Sequence, residues 1–391
     1  MSDAVAKKAR PRIGWIDTLR GFAIIFVVLG HATRGSGSEF ERYVYSIHLP
    51  LFFFLSGLLQ REALLAGPFS LYAGKFFRSL LVPYFTFGFL TYFLWMSKQL
   101  SLLGPHPATA EYLLMPLAGM AYGVHGAHGF LAHNGALWFL PCLFTMHLLF
   151  FLIRRQSAGW LGLAGWTVLS SSLGFLLARI TPLSAPWGLD LAMMNLPFFA
   201  IGYLLQGRLL RGGRHDFFSW TLLLLLPIHF LLQRANSQVD LNLVAYGDVH
   251  LFFLAAITGI LGWIPIAQVT SRLTILAFLG RNSIIVFTLN SLLMFLISVV
   301  FLRLGFDEIL GRDSLFGEIA RGVAVLAVAL PTIYMVNRWA PWMLPGRTNR
   351  KIDPPGVRDH QPPPLVESFP SCYQMPLTTR PPLAKANKRR R

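Results

Sequence analysis

Six ionisable side chains stand in runs otherwise built for lipid: Asp17, Arg20 and His31 in "WIDTLRGFAIIFVVLGH", His48 in "YSIHLPLFFFLSG", and Lys75 and Arg78 in "KFFRSLLVPY". On a helix, positions 20 and 31 are close to three turns apart. Arg20 and His31 therefore share a face, offset by about 20° and separated by about 16 Å along the axis. Asp17 lies one turn before Arg20 and can pair with it. A histidine, with an ordinary pKa near 6.5, suits proton transfer at neutral pH. Lys75 and Arg78, on one face of another helix, suit a phosphate-bearing ligand. A purely positional reading competes: Arg20 snorkels to the headgroups, and Lys75 and Arg78 follow the bias of cations to the cytoplasmic side. Ionisable groups inside spans are costly and usually face a cavity or a bundle interior, and three along one stripe favour a function.

The elements that carry these residues must cross a membrane. The 391 residues are 54% hydrophobic and 13% charged, about half the charged share of a soluble domain, and their mean hydropathy is +0.54. Long apolar runs recur along the chain, the composition of a polytopic membrane protein. The pattern predicts an all-α membrane helix bundle of ten spans, at approximately 13–33, 43–60, 76–98, 137–153, 160–180, 189–207, 217–233, 249–268, 276–302 and 319–339. The stretch "EYLLMPLAGMAYGV" (111–124) is too short and too broken by Gly and Pro to cross, and is expected to be interfacial or re-entrant.

Residues 1–12, "MSDAVAKKARPR", read as a basic cytoplasmic N-terminus without the cleavage site of a signal peptide. From there the loops alternate. Arg61, Lys75 and Arg78, then Arg154 and Arg155, then Arg208, Arg211 and Arg214, then Arg272 fall inside, whereas 99–136 holds no Lys or Arg and 234–248 only Arg234. This positive-inside pattern puts both termini in the cytoplasm. Residues 13–340 form the transmembrane domain. The Pro-rich, basic remainder, 341–391, is expected to be a disordered cytoplasmic tail, or else a segment lying against anionic headgroups. The net charge of +17 sits at helix ends and in the tail, with no aromatic-interleaved soluble module, so the expected partner is the bilayer and not a nucleic acid. Cys142 and Cys372 are too few for a disulfide framework or a zinc site.

Together these residues resemble the acyltransferase-3 family of integral membrane acyltransferases, in particular its sugar O-acetylase-like branch. The resemblance rests on "WIDTLRGFAIIFVVLGH", on "HLPLFFFLSG", and on "KFFR", a Lys-for-Arg version of the family's Arg-x-x-Arg. Later segments fit in order: "ALWFLPCLF" (136–144), "LPFFAIGYLL" (196–205) and "FLGRNSIIVFTLN" (278–290). The resemblance implies transfer of an acyl group, commonly acetyl, from cytoplasmic acyl-coenzyme A to a hydroxyl of a surface or lipid-linked saccharide. It also implies a multi-pass protein of the bacterial inner membrane. Acetyl-coenzyme A is then a co-substrate, with no bound cofactor. The matching positions make Arg20, Lys75 and Arg78 donor-binding candidates and His31 the catalytic candidate; Asp17, one turn before Arg20, is the second residue expected to serve catalysis. Two positions depart: Asn290 stands where many members carry His, and Lys75 cannot make the planar two-point contact of an arginine.

On this reading the face shared by Arg20 and His31 is a ruler. Cations hold the phosphate end of coenzyme A, and His31 meets the thioester as general base in a ternary complex; a covalent acyl-histidine is the alternative. Glu39 or Glu41 would orient His31 or bind the acceptor. His48, Ser56, Asn134, Trp138 and Asn290 would line a central cavity, or simply pack. His106, His125, His128 and His133 match no metal-ligand spacing, so no metal is expected, and His147, His229 and His250 are read as packing. Two other classes fit less well. A transporter or flippase for a lipid-linked saccharide would also carry intramembrane charges, but here the charges concentrate in the first three helices. A bis-histidine haem protein could use His31 and His48, though nothing else suggests redox chemistry.

Overall fold

The computed structural model describes residues 13–345 apart from 104–109, 182–183, 212–219 and 312–313. The basic N-terminus (1–12), the tail from 346 and His106 lie outside the described residues. The chain is a polytopic all-α membrane bundle. Its main helices are α1 (Gly14–Ala32), α2 (Glu39–Tyr45), α3 (His48–Leu58), α4 (Phe69–Phe76), α5 (Val82–Leu103), α6 (Ala110–Tyr122), α7 (Phe139–Gln156) and α8 (Gly159–Ile180). They continue with α9 (Leu189–Arg211), α10 (Leu225–Ala235), α11 (Val249–Val269), α12 (Thr274–Arg281), α13 (Ser283–Arg303) and α14 (Leu315–Trp339).

Among the described residues, eight helical stretches are long and apolar enough to span a bilayer, and Tyr112–Tyr122 and Leu222–Ala235 are shorter apolar helices. Of the ten expected spans, 43–60 and 217–233 are not among the eight, the latter appearing only as the shorter Leu222–Ala235 among the described residues. Two expected spans, 43–60 and 276–302, are divided. The expected 43–60 span divides into α2 and α3 around Ser46 and Ile47, where the Ser46 hydroxyl bonds the Tyr43 carbonyl. Pro50, lacking an N–H, sits in the first turn of the new helix, where none is needed. The expected 276–302 span divides at Asn282, whose side-chain amide bonds the Phe278 carbonyl and competes with the helix ladder. The stretch 111–124 folds as the 13-residue α6, with Pro116 inside it.

Helix α1 is the hub, packing against α3, α11, α12, α13 and α14. An apolar helix buried nearly all round needs neighbours on every side, and this is why α1 shows no single hydrophobic stripe. The outermost helices α8 and α14 instead leave most of their apolar surface on the outside, including Trp160, Leu161, Leu176 and Ile180, as lipid contact requires.

Glycines set two of the closest approaches. A methyl group on Gly57 of α3 would fall on the Phe199 carbonyl of α9, and one on Gly202 of α9 would fall on the Phe54 carbonyl of α3. The same reciprocity joins α1 and α12: Gly21 faces the Leu276 carbonyl and Gly280 the Asp17 carbonyl. Small residues let membrane helices pack backbone to backbone, and this accounts for the glycines in "FLSG", "LRGF" and "FLGR". Gly57→Val is expected to cost about 3 kcal/mol or more, since the obstacle is backbone and cannot rotate away. Thermal unfolding in detergent checks this, with Gly74→Ala, which meets open space, as the unaffected control. Equal melting of the two variants would sink the packing argument.

Candidate active site

Two cavities run along the axis of α1. The first, of about 360 Å³, is lined by Arg20 of α1, Lys75 of α4, Arg78 and Ser79 of the connecting turn, and Arg281 at the end of α12. That turn, Phe77–Leu81, is a π-helical segment between α4 and α5. Pro83 follows it and cannot donate to the Ser79 carbonyl, so the helix widens there. Four cations thus converge on one cavity, the arrangement that binds a multiply charged anion. Arg154 and Arg155 do not line this cavity. Arg154 bonds the Tyr203 hydroxyl and pairs with Glu62 at 3.8 Å, and Arg155 bonds the Gly67 carbonyl at 2.6 Å.

The second cavity, of about 190 Å³, is lined by His31, Arg34, His48, His125, Trp138 and Asp240, with Tyr45, Asn242 and Ser291. No hydrogen bond holds the His31 imidazole among the described residues. The His48 Nδ1 lies 2.8 Å from the Val44 carbonyl, so it carries the proton and leaves Nε2 as an acceptor. Arg34 pairs with Asp240 at 2.9 Å, and the Asn242 amide meets His125 Nδ1 at 3.1 Å. Burial, and then the Arg34 guanidinium, hold the His125 imidazole below its ordinary range, which favours the neutral form.

Four helices agree on the direction from one cavity to the other. Arg20 lies in the first half of α1 and His31 at its end, and Ser283 and Ser291 mark positions two turns apart on α13. In α3 and in the α7 segment the order reverses: His48 precedes Ser56, and Trp138 precedes His147. Arg20 and His31 therefore stand at opposite ends of one axis, as their spacing predicts.

The remaining expected residues separate by position. Asp17 stands 4.0 Å from Arg281, fourteen residues and about 21 Å of helix rise from His31, and so beside the cationic cavity and out of reach of the imidazole. Glu39 pairs with Arg234 at 3.8 Å on the surface. Glu41 is fully buried and accepts from the Gly35 and Gly37 amides and from the Gln238 amide at 2.6–2.9 Å. It clamps two loops together and does not orient His31. Ser56 lines the cationic cavity but bonds the Phe52 carbonyl of its own helix. Asn134 bonds the Thr288 carbonyl at 2.7 Å and so joins the loop before α7 to α13. Asn290 is buried and lines neither cavity. Trp138 and His48 do line the second.

Sequence reasoning missed several lining residues. Arg281 lies inside the quoted "FLGRNS" segment, and the available signal was its charge within the expected 276–302 span. Arg34 and Asp240, 206 positions apart, gave none. His147, expected only to pack, lines the cationic cavity. Its Nδ1 lies 2.8 Å from the Gln60 amide nitrogen, its ring stacks on Phe76 at 3.6 Å, and the Tyr72 hydroxyl donates to Gln60 Oε1. An amide nitrogen only donates, so the His147 proton resides on Nε2 as a fixed donor. His147→Ala is expected to raise KM for an anionic ligand of this cavity several-fold with little change in kcat. An unchanged KM would leave His147 as packing.

A family model described as an acyltransferase domain, that of the acyltransferase-3 family, matches residues 13–338. Neither a curated protein nor a solved structure matches the chain.

Proposed function

The chain belongs to the acyltransferase-3 family of membrane acyltransferases, and on that premise we propose that it moves an acetyl group from acetyl-coenzyme A to a hydroxyl of a saccharide across the membrane. The observation that carries this reading is the pair of cavities laid end to end, four cations lining one and His31 the other. Coenzyme A has the matching polarity, with phosphates at one end and the thioester at the other. Positive residues favour the cytoplasmic side, which makes the cationic cavity the donor's side and the His31 cavity the acceptor's. A bacterial inner membrane suits this arrangement, with a cell-surface or lipid-linked saccharide as acceptor. This placement belongs with the sugar O-acetylase-like branch.

His31 acts as general base. It takes the proton of the acceptor hydroxyl as the oxygen attacks the thioester carbonyl. The carbon–oxygen bond forms, the carbon–sulfur bond breaks, and coenzyme A leaves as the thiol with the proton that His31 returns. Holding donor and acceptor on a fixed axis replaces a bimolecular encounter with a positioned one. Arg20, Lys75, Arg78 and Arg281 supply phosphate contacts. His48, its tautomer set by the Val44 carbonyl, accepts a hydrogen bond from a second acceptor hydroxyl.

The test uses the purified full chain in lipid with acetyl-coenzyme A labelled on the acetyl group and a lipid-linked saccharide. Label in the saccharide with stoichiometric release of coenzyme A supports the reading. A protein that neither binds nor consumes acetyl-coenzyme A but moves the saccharide across the bilayer would replace it with the flippase reading.

A further inference from the structure

The two cavities end on opposite sides of a single pair of rings. Phe139, at the start of α7, and Phe287, in the first half of α13, line both. Their ring centroids are 5.3 Å apart with the planes tilted by 53°, and each side chain is at most 5% exposed. Phe53 and Phe52 stand 5.2 and 6.0 Å from Phe139 and hold it from the α3 side. On α13, Phe287 lies one turn from Ser283 in the cationic cavity and one turn from Ser291 in the His31 cavity, about 6 Å of rise in each direction. A ligand that joins the cations to His31 has to pass these rings.

Resting on the acyl-transfer reading, we infer that Phe139 and Phe287 are the passage through which the thioester reaches His31, and that they select for short acyl groups. Three physical consequences follow from their position. Rings in tilted contact close the gap when no ligand is present, which separates the acceptor's cavity from the cationic one. A slender pantetheine arm can part them, whereas a sugar ring cannot, so acceptor and donor stay on their own sides. Carbons of the acyl group beyond the carbonyl must then share about 190 Å³ with the attacking sugar, and each added methylene takes room from the acceptor. Water exclusion at the thioester also suppresses hydrolysis, the side reaction that such a site has to avoid.

The experiment compares wild type, Phe139→Ala, Phe287→Ala and Phe287→Leu as full-length protein in lipid, with acetyl-, butanoyl- and octanoyl-coenzyme A. Each is assayed for transfer to the saccharide and for coenzyme A release without acceptor. The alanine variants are expected to raise the ratio of octanoyl to acetyl kcat/KM at least tenfold and acceptor-independent release several-fold. Phe287→Leu, which keeps bulk without the ring, is expected to fall between and carries the test if an alanine variant fails to fold. Monodisperse variants that keep both the wild-type ratio and the wild-type release rate would overturn the passage. Wild type without acetyl transfer would instead refute the underlying reading, and the two failures are therefore distinguishable.

Discussion

Replacing His31 with alanine is expected to lower acetyl transfer by about 100- to 10,000-fold, the usual contribution of a positioned general base, while binding of acetyl-coenzyme A persists. The two properties separate because the cations that line the donor cavity lie about 16 Å away along α1. Folding is expected to survive, since His31 makes no hydrogen bond among the described residues that the substitution would orphan. Isothermal titration with a non-hydrolysable acetyl-coenzyme A analogue, alongside turnover, checks both halves. The neighbouring His48 gives the experiment its second arm. Its Nε2 is available as an acceptor, so if His48→Ala abolishes turnover and His31→Ala does not, the base is His48.

The second large effect is on donor affinity. Arg78→Ala is expected to raise KM for acetyl-coenzyme A by about 10- to 100-fold, as loss of a hydrogen bond between charged groups costs roughly 1.5–3 kcal/mol. Arg78 is the cleaner probe because Arg281 also faces Asp17, so its removal would disturb the helix junction as well. Lys75→Ala is expected to cost less, since an ammonium offers a point charge and no planar fork. Rising ionic strength should raise the wild-type KM and flatten in Arg78→Ala, because exposed charges are screened. A KM for Arg78→Ala within twofold of wild type, with the same salt dependence, would remove the cationic cavity as the phosphate site.

Both effects concern residues that the sequence already singled out, and for a definite reason. A charge in an apolar run is conspicuous, and helical periodicity alone places residues 20 and 31 on one face. The broken second span, by contrast, was hidden. "YVYSIHLPLFFFLSG" is apolar enough, despite Ser46 and His48, to read as one span, and the Ser46 back-bond and the first-turn Pro50 divide it. Glu39 and Glu41 show the limit of proximity in sequence. They follow His31 by only eight and ten residues, yet one turns to Arg234 and the other to the backbone of its own loop.

By itself the sequence determined the bundle. The hydropathy of its runs requires membrane helices, the loop charges give an expected orientation, and the ionisable residues of the first three spans name the main candidates. Only the tertiary structure decided what those candidates share. Arg281 joins Arg20 because glycines bring α12 onto α1, and Asp240 reaches Arg34 through a loop more than 200 residues away. The meeting of Phe139 and Phe287 across the axis is of the same kind. Helix periodicity is local and can be read along a chain, whereas a cavity wall is assembled from side chains whose separation in sequence carries no information about their separation in space.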